Sequence, residues 1–187
     1  MNPKKVRRIA AFLQTSDHDI YQALGIFSPD DLKLIERVNA ATTLEQVRKA
    51  CEGIFQESKA RNIAITKWNE FSLKEVEAAT TLEHAHKAYD RAPPESSARK
   101  LALAKWNRFS LDEVKAATTL EQVAVALSGA SLGSRAETLA FTKWNKFSVR
   151  EVNAATTPKR VREAYYCAPS GSEAKKLAIK KIARLLP

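Results

Sequence analysis

Four lysines stand at equal spacing along this chain, Lys67, Lys105, Lys143 and Lys181, each 38 residues after the last. An ammonium group placed once per structural unit along one groove could track the phosphates of a nucleic acid or a row of acidic side chains on a protein. The same positions have a plainer use: the aliphatic stem covers the edge of an apolar stripe while the head reaches water or pairs with Glu75, Glu113 or Glu151. The plainer use is the expected one, and these four lysines are the phosphate-binding candidates of the alternative. The tryptophans that follow the first three, Trp68, Trp106 and Trp144, could stack unpaired bases. An aromatic at one place on an apolar stripe of every unit is also what packing between units requires, so they are expected in the core.

Catalytic chemistry finds little support. His84 and His86 lie two apart, a spacing that puts them on different faces of a helix and argues against a shared metal site, and His18 is solitary. There is no Gly-rich phosphate loop, no histidine beside a nucleophile and no repeated carboxylate pair, so neither an enzyme nor a cofactor is expected. Cys51 and Cys167 suggest neither a disulfide framework nor a metal site; they are expected as buried small apolar residues in a chain of the reducing cytosol.

The elements that must position these residues emerge from self-similarity. Ala-Ala-Thr-Thr recurs with its second alanine at Ala41, Ala79, Ala117 and Ala155, in step with the Lys-Trp-Asn triplets at Lys67, Lys105 and Lys143. Each 38-residue unit is expected to hold three helical pieces. Ser72, Ser110 and Ser148 stand three residues before Glu75, Glu113 and Glu151, a capping-box spacing that opens a short first helix. The paired threonines, such as Thr80 and Thr81 with Glu83, cap a second helix with an apolar stripe of Leu82, Ala85, Ala88 and Tyr89. Pro and Gly clusters beginning at Ala92, Ala130 and Ala168 stop it, and Ser96, Ser134 and Ser172 cap a third and longest helix. Its stripe in the second unit is Ala98, Leu101, Ala102, Trp106 and Phe109.

A unit this small cannot bury its stripe alone, so neighbouring units must stack into one continuous core. The expected fold is all-α, a right-handed α-solenoid of 38-residue three-helix repeats with helical caps: an N-terminal cap over 1–33, units over 34–71, 72–109 and 110–147, and a fourth unit with its cap over 148–187. The cap reads as a helix from Lys4 to about Gln14, a short helix from Asp19 to Leu24 and a new start at Ser28. The basic start of the chain has an apolar run of only Ile9 to Leu13 and no small-residue cleavage site, so it reads as a helix and not as a secretion signal. No run approaches the roughly 18 apolar residues of a membrane span. This layout of short Ala-rich helical units with fixed aromatic and small positions resembles the armadillo and HEAT class of α-solenoids over about Lys33 to Pro187. The resemblance is one of architecture and carries over no functional residues.

Charge distribution bears on the partner. The chain carries a formal +10, but Met1 to Arg8 holds four basic residues without an acidic one and Pro158 to Pro187 holds eight basic and two acidic. From Ile9 to Thr157 there are 19 basic and 19 acidic residues, which is not the footprint of a groove that wraps nucleic acid along its length. Positions that diverge between units point to the second helix as a binding face: Arg48, Lys49 and Glu52 in the first unit, His86, Lys87 and Asp90 in the second, Val125 and Ser128 in the third, Arg162 and Tyr166 in the fourth. The first reading is therefore a scaffold for a protein or peptide partner. A nucleic-acid binder using the lysine ladder and basic ends is the second, and a purely structural or idealised array the third.

Overall fold

The computed structural model describes residues 2–52 and 59–186. Met1, residues 53–58 and Pro187, which fall in the ranges given above for the first cap, the first unit and the fourth unit, lie outside the described residues. Within them the chain is all-helical, with eleven helices and no strand. None of these helices is long and apolar enough to cross a membrane.

The helices are α1 (Pro3–Leu13), α2 (Asp17–Ala23), α3 (Pro29–Ala40), α4 (Leu44–Cys51), α5 (Lys59–Ala78), α6 (Leu82–Arg91), α7 (Ser97–Ala116), α8 (Leu120–Ser128), α9 (Arg135–Ala154), α10 (Pro158–Cys167) and α11 (Glu173–Leu185). Two compact units divide the chain, Met1–Ala79 with Lys87–Leu101 and Thr80–His86 with Ala102–Pro187, so that the cut falls inside α6 and α7. In the first unit α3, α4 and α5 pack mutually around Leu34, Val38, Ala50, Ala60 and Ala64, and α1 packs on α2 through Val6, Ala10, Ile20 and Tyr21. In the second unit α9 packs against α8, α10 and α11. Its two clusters centre on Val114, Val123 and Ala140 and on Val152, Val161 and Ala178.

The three long helices correct the three-helix unit read from the sequence. α5, α7 and α9 each run 20 residues without a break through Ser72, Ser110 and Ser148. Those serines are fully buried and cap nothing. The first and third pieces are one helix, because its buried line advances by four residues at a time: Ala98, Ala102, the half-buried Trp106, Ser110 and Val114. Small side chains along such a ridge let a neighbouring helix approach closely, and each fully buried valine at its end adds roughly 1.5–3 kcal/mol of hydrophobic stabilisation. A serine in this line is a small residue before it is a cap. The same line leaves Leu101 outside it: at 39% exposure it faces outward, against the expected stripe. A step of three turns the other way round the helix from a step of four.

Capping boxes do form, in the cap: Ser16 and Ser28 accept from the amides of Asp19 and Asp31, whose carboxylates accept in return from the serine amides. Hydrogen bonding to Ser16 and Thr15 holds the Asp19 carboxyl below its ordinary value. The second threonine of each pair caps the short helix, with Thr43, Thr81, Thr119 and Thr157 accepting from Gln46, His84, Gln122 and Arg160 amides. Glu83 does not complete a box here. The reciprocal bond comes one residue later, where Gln46 and Gln122 Oε1 accept from the amides of Thr42 and Thr118 at 2.8 and 2.7 Å. Ser96, Ser134 and Ser172 cap the long helices as expected, accepting from Arg99, Glu137 and Lys175 amides. Just before them the chain turns through positive φ at Glu95, Gly133 and Gly171.

Candidate functional site

The three side chains of the repeated Lys-Trp-Asn triplet reach three different helix ends. Lys67 Nζ donates to Asn39 O at 3.0 Å, Lys143 Nζ to Lys115 O and Ala117 O at 2.7 and 3.0 Å, and Lys181 Nζ to Val152 O and Asn153 O at 2.9 and 2.7 Å. These carbonyls close α3, α7 and α9, where backbone acceptors lack partners and the helix dipole favours a cation. Lys105 is part-buried like the other three. The ammonium groups of Lys67, Lys143 and Lys181 therefore meet carbonyls, and not the Glu75, Glu113 or Glu151 that the plainer reading paired with them. Glu75 instead receives Arg91 at 2.9 Å.

The tryptophans look forward where the lysines look back. Trp68, Trp106 and Trp144 donate from Nε1 to the carbonyls of Arg91, Gly129 and Cys167 at 2.8, 2.7 and 2.8 Å, each 23 residues on and each at the end of a short helix. All three are half-buried, and Trp144 packs against the core cluster of α8 and α9. The asparagines reach the start of the next long helix: Asn69 and Asn145 Oδ1 accept from the amides of Ala98 and Ala174, and Asn107 Oδ1 from Ser131 Oγ. The spacing of the motif is thus set by helix ends that need partners. α11 keeps the backward-looking Lys181 and carries Ile182 and Ala183 in place of the forward-looking pair.

The variable positions of the short helices face water. In the first unit Lys49, Glu52, Lys87 and Asp90 are exposed and Arg48 is half-buried, its guanidinium 3.3 Å from Glu45. In the second, His86, Val125, Ser128, Arg162 and Tyr166 are all exposed. His86 stacks on Trp106 with ring centroids 4.2 Å apart, and His84 is exposed. Val125 and Tyr166 are large apolar groups at 65% and 73% exposure.

Val125 also walls an open groove of about 420 Å³ that sequence reasoning did not find. It lies at the end of α7 and the start of α8, lined by the buried Ala117 and Ala126, by Ala116, and by the exposed Glu113, Glu121 and Gln122. Glu113 and Glu121 form no ion pair among the described residues. Only the divergence of Val125 from Lys87 and Glu163 in the equivalent places pointed towards it. A groove of this composition can take a short extended segment, with small apolar groups on the floor and a cation at the rim.

Of the two cysteines, Cys167 departs from the expected burial. Both are free; Cys51 is half-buried against the first unit's core, while Cys167 is exposed. Burial pushes the Cys51 thiol above its ordinary value, with nearby Arg37 partly opposing. Cys167 ends α10, where its carbonyl and not its thiol carries the packing role. No family model, curated protein or solved structure matches the chain.

Proposed function

We propose that this chain is a non-catalytic α-solenoid scaffold that binds a segment of a protein partner through the solvent faces of its short helices. The resemblance to the armadillo and HEAT class belongs to this reading. The starts of the short helices, Leu44, Leu82, Leu120 and Pro158, and of the long ones, Lys59, Ser97 and Arg135, support it, since they keep the spacing of the sequence motifs. The unit is then a two-helix hairpin of one short and one long helix.

The observation that carries the reading is the groove at Glu113, Glu121 and Val125. The repeated triplet positions bond to helix ends, while Val125, one of the exposed positions that differ between units, walls a groove with room for a ligand. That division is what a binding repeat needs: a fixed frame and a variable face. The ladder version of nucleic-acid binding is weaker on the same grounds, because three of its four ammonium groups already sit on carbonyls.

The test is selection from a random peptide display library, followed by NMR mapping on the isotope-labelled chain. The reading expects enriched peptides combining basic and small apolar residues, shifts at Glu113, Glu121 and Val125, and loss of binding in Val125→Asp. Enrichment of no peptide, or shifts confined to other surfaces, would overturn it.

A further inference from the structure

α11 uses one face to pack and leaves another bare. Ala174 and Ala178 are buried, Leu177 and Ile182 pack on the core, and Lys176, Ile179, Lys180 and Arg184 are exposed. Lys176, Lys180 and Arg184 are spaced by four, a row that climbs the helix by about 6 Å per step. On α10, Lys159, Arg160 and Arg162 are exposed as well, and Tyr166 stands one turn beyond Arg162 at 73% exposure. α10 and α11 contain only two carboxylates, Glu163 and Glu173. None of these six cations forms an ion pair among the described residues. Concentrated positive charge without internal partners is complementary to a polyanion.

Three observations narrow the polyanion. A second copy of the chain is disfavoured, since its other end brings Lys4, Lys5, Arg7 and Arg8 without a carboxylate, and α11 lacks the Trp and Asn with which α5 and α9 hold the next helix pair. An anionic bilayer gains little, because Leu177 and Ile182 are turned inward and Ile179 is the one large apolar group exposed between Glu173 and Arg184, with Leu185 and Leu186 exposed only at the helix's last turn. An exposed ring beside a guanidinium, in contrast, offers a base a stacking surface next to a phosphate contact. Tyr166 meets Tyr165 edge to face at 5.5 Å, and Lys175 Nζ lies 4.9 Å from the Tyr165 ring centre, so its ring is braced from behind.

We propose that the bare face of α10 and α11 docks single-stranded nucleic acid, with Arg162, Lys176, Lys180 and Arg184 on the phosphates and Tyr166 stacking a base. The surface is separate from the groove at Val125 and does not depend on it. Phosphate contacts make affinity fall with salt, and the four cations on the phosphates give a slope of log affinity against log salt of about −3 for a single strand.

The experiment is fluorescence anisotropy of a labelled polypyrimidine oligonucleotide over a salt series, on the wild type, K176Q/K180Q/R184Q, Tyr166→Ala and Val125→Asp. The expected result is a slope reduced to about −1 in the triple variant, about tenfold or greater loss of affinity in Tyr166→Ala, and no change in Val125→Asp. All substituted side chains are exposed, and NMR mapping on the wild type reads the same surface without any substitution. Absence of binding at low salt would overturn the proposal. So would affinity insensitive to both the triple variant and Tyr166→Ala, or equal binding of polyglutamate or phosphatidylserine vesicles.

Discussion

Trp144 donates its indole N–H to the carbonyl of Cys167, 23 residues on and 2.8 Å away. That bond joins the middle of α9 to the last turn of α10, satisfying an acceptor the helix itself cannot. Trp144→Phe keeps most of the apolar contact and removes the donor, so it is expected to cost about 1–2 kcal/mol in chemical denaturation. Trp106→Phe should cost less, because the Gly129 carbonyl it serves also accepts from Ser110 Oγ at 3.1 Å.

The buried serines separate by their partners. Ser110→Ala loses the bond to Gly129 O and is expected to destabilise by about 1 kcal/mol. Ser72 Oγ and Ser148 Oγ have no hydrogen-bond partner among the described residues, so Ser72→Ala and Ser148→Ala should be neutral or stabilising. Equal losses in all three on denaturant titration would contradict the ridge account.

Left-handed backbone is shared by three turns at the same distance before a long helix. Gly133 and Gly171 adopt φ of 73° and 71° with open space where a Cβ would stand, while Glu95 sits at 59°. Gly133→Ala therefore costs only backbone strain, about 1 kcal/mol, and Glu95→Gly should raise the melting temperature.

The cap at α2 carries a pH dependence of defined sign. The Asp19 carboxyl titrates lower in the folded chain than its ordinary value because Ser16 and Thr15 donate to it. Its contribution is fully present above the unfolded pKa of about 3.9 and is lost as pH falls through the lower folded value. Protection of the first-turn amides of α2, measured relative to their intrinsic exchange rate at each pH, should fall over that window, and Asp19→Asn should abolish the change.

Much of this was legible because caps and breakers are local. Thr43, Thr119, Ser134 and Ser172 sit next to the helices they start, and the sequence carries that signal within three residues. Ser72 and Glu75 show the limit of such signals, since Ser-x-x-Glu spacing occurs equally in a helix interior and only packing along Ala60, Ala64 and Val76 decides. The function of Lys143 was out of reach for a different reason: its partner carbonyls lie 26 and 28 residues earlier, and no local pattern encodes a helix end met through the fold. The groove at Val125 needs two helices at once, and the exposed Cys167 reflects a carbonyl's packing, not its side chain's polarity.

The most direct test of the division between frame and binding face is to change Lys67 and Lys143 to Gln together, and to measure melting temperature and oligonucleotide affinity on the same protein. The account predicts a melting temperature lowered by loss of about 1–3 kcal/mol of charge-assisted bonds, with affinity for single strands unchanged. Unchanged stability with affinity abolished would contradict it, and would make these lysines a phosphate track.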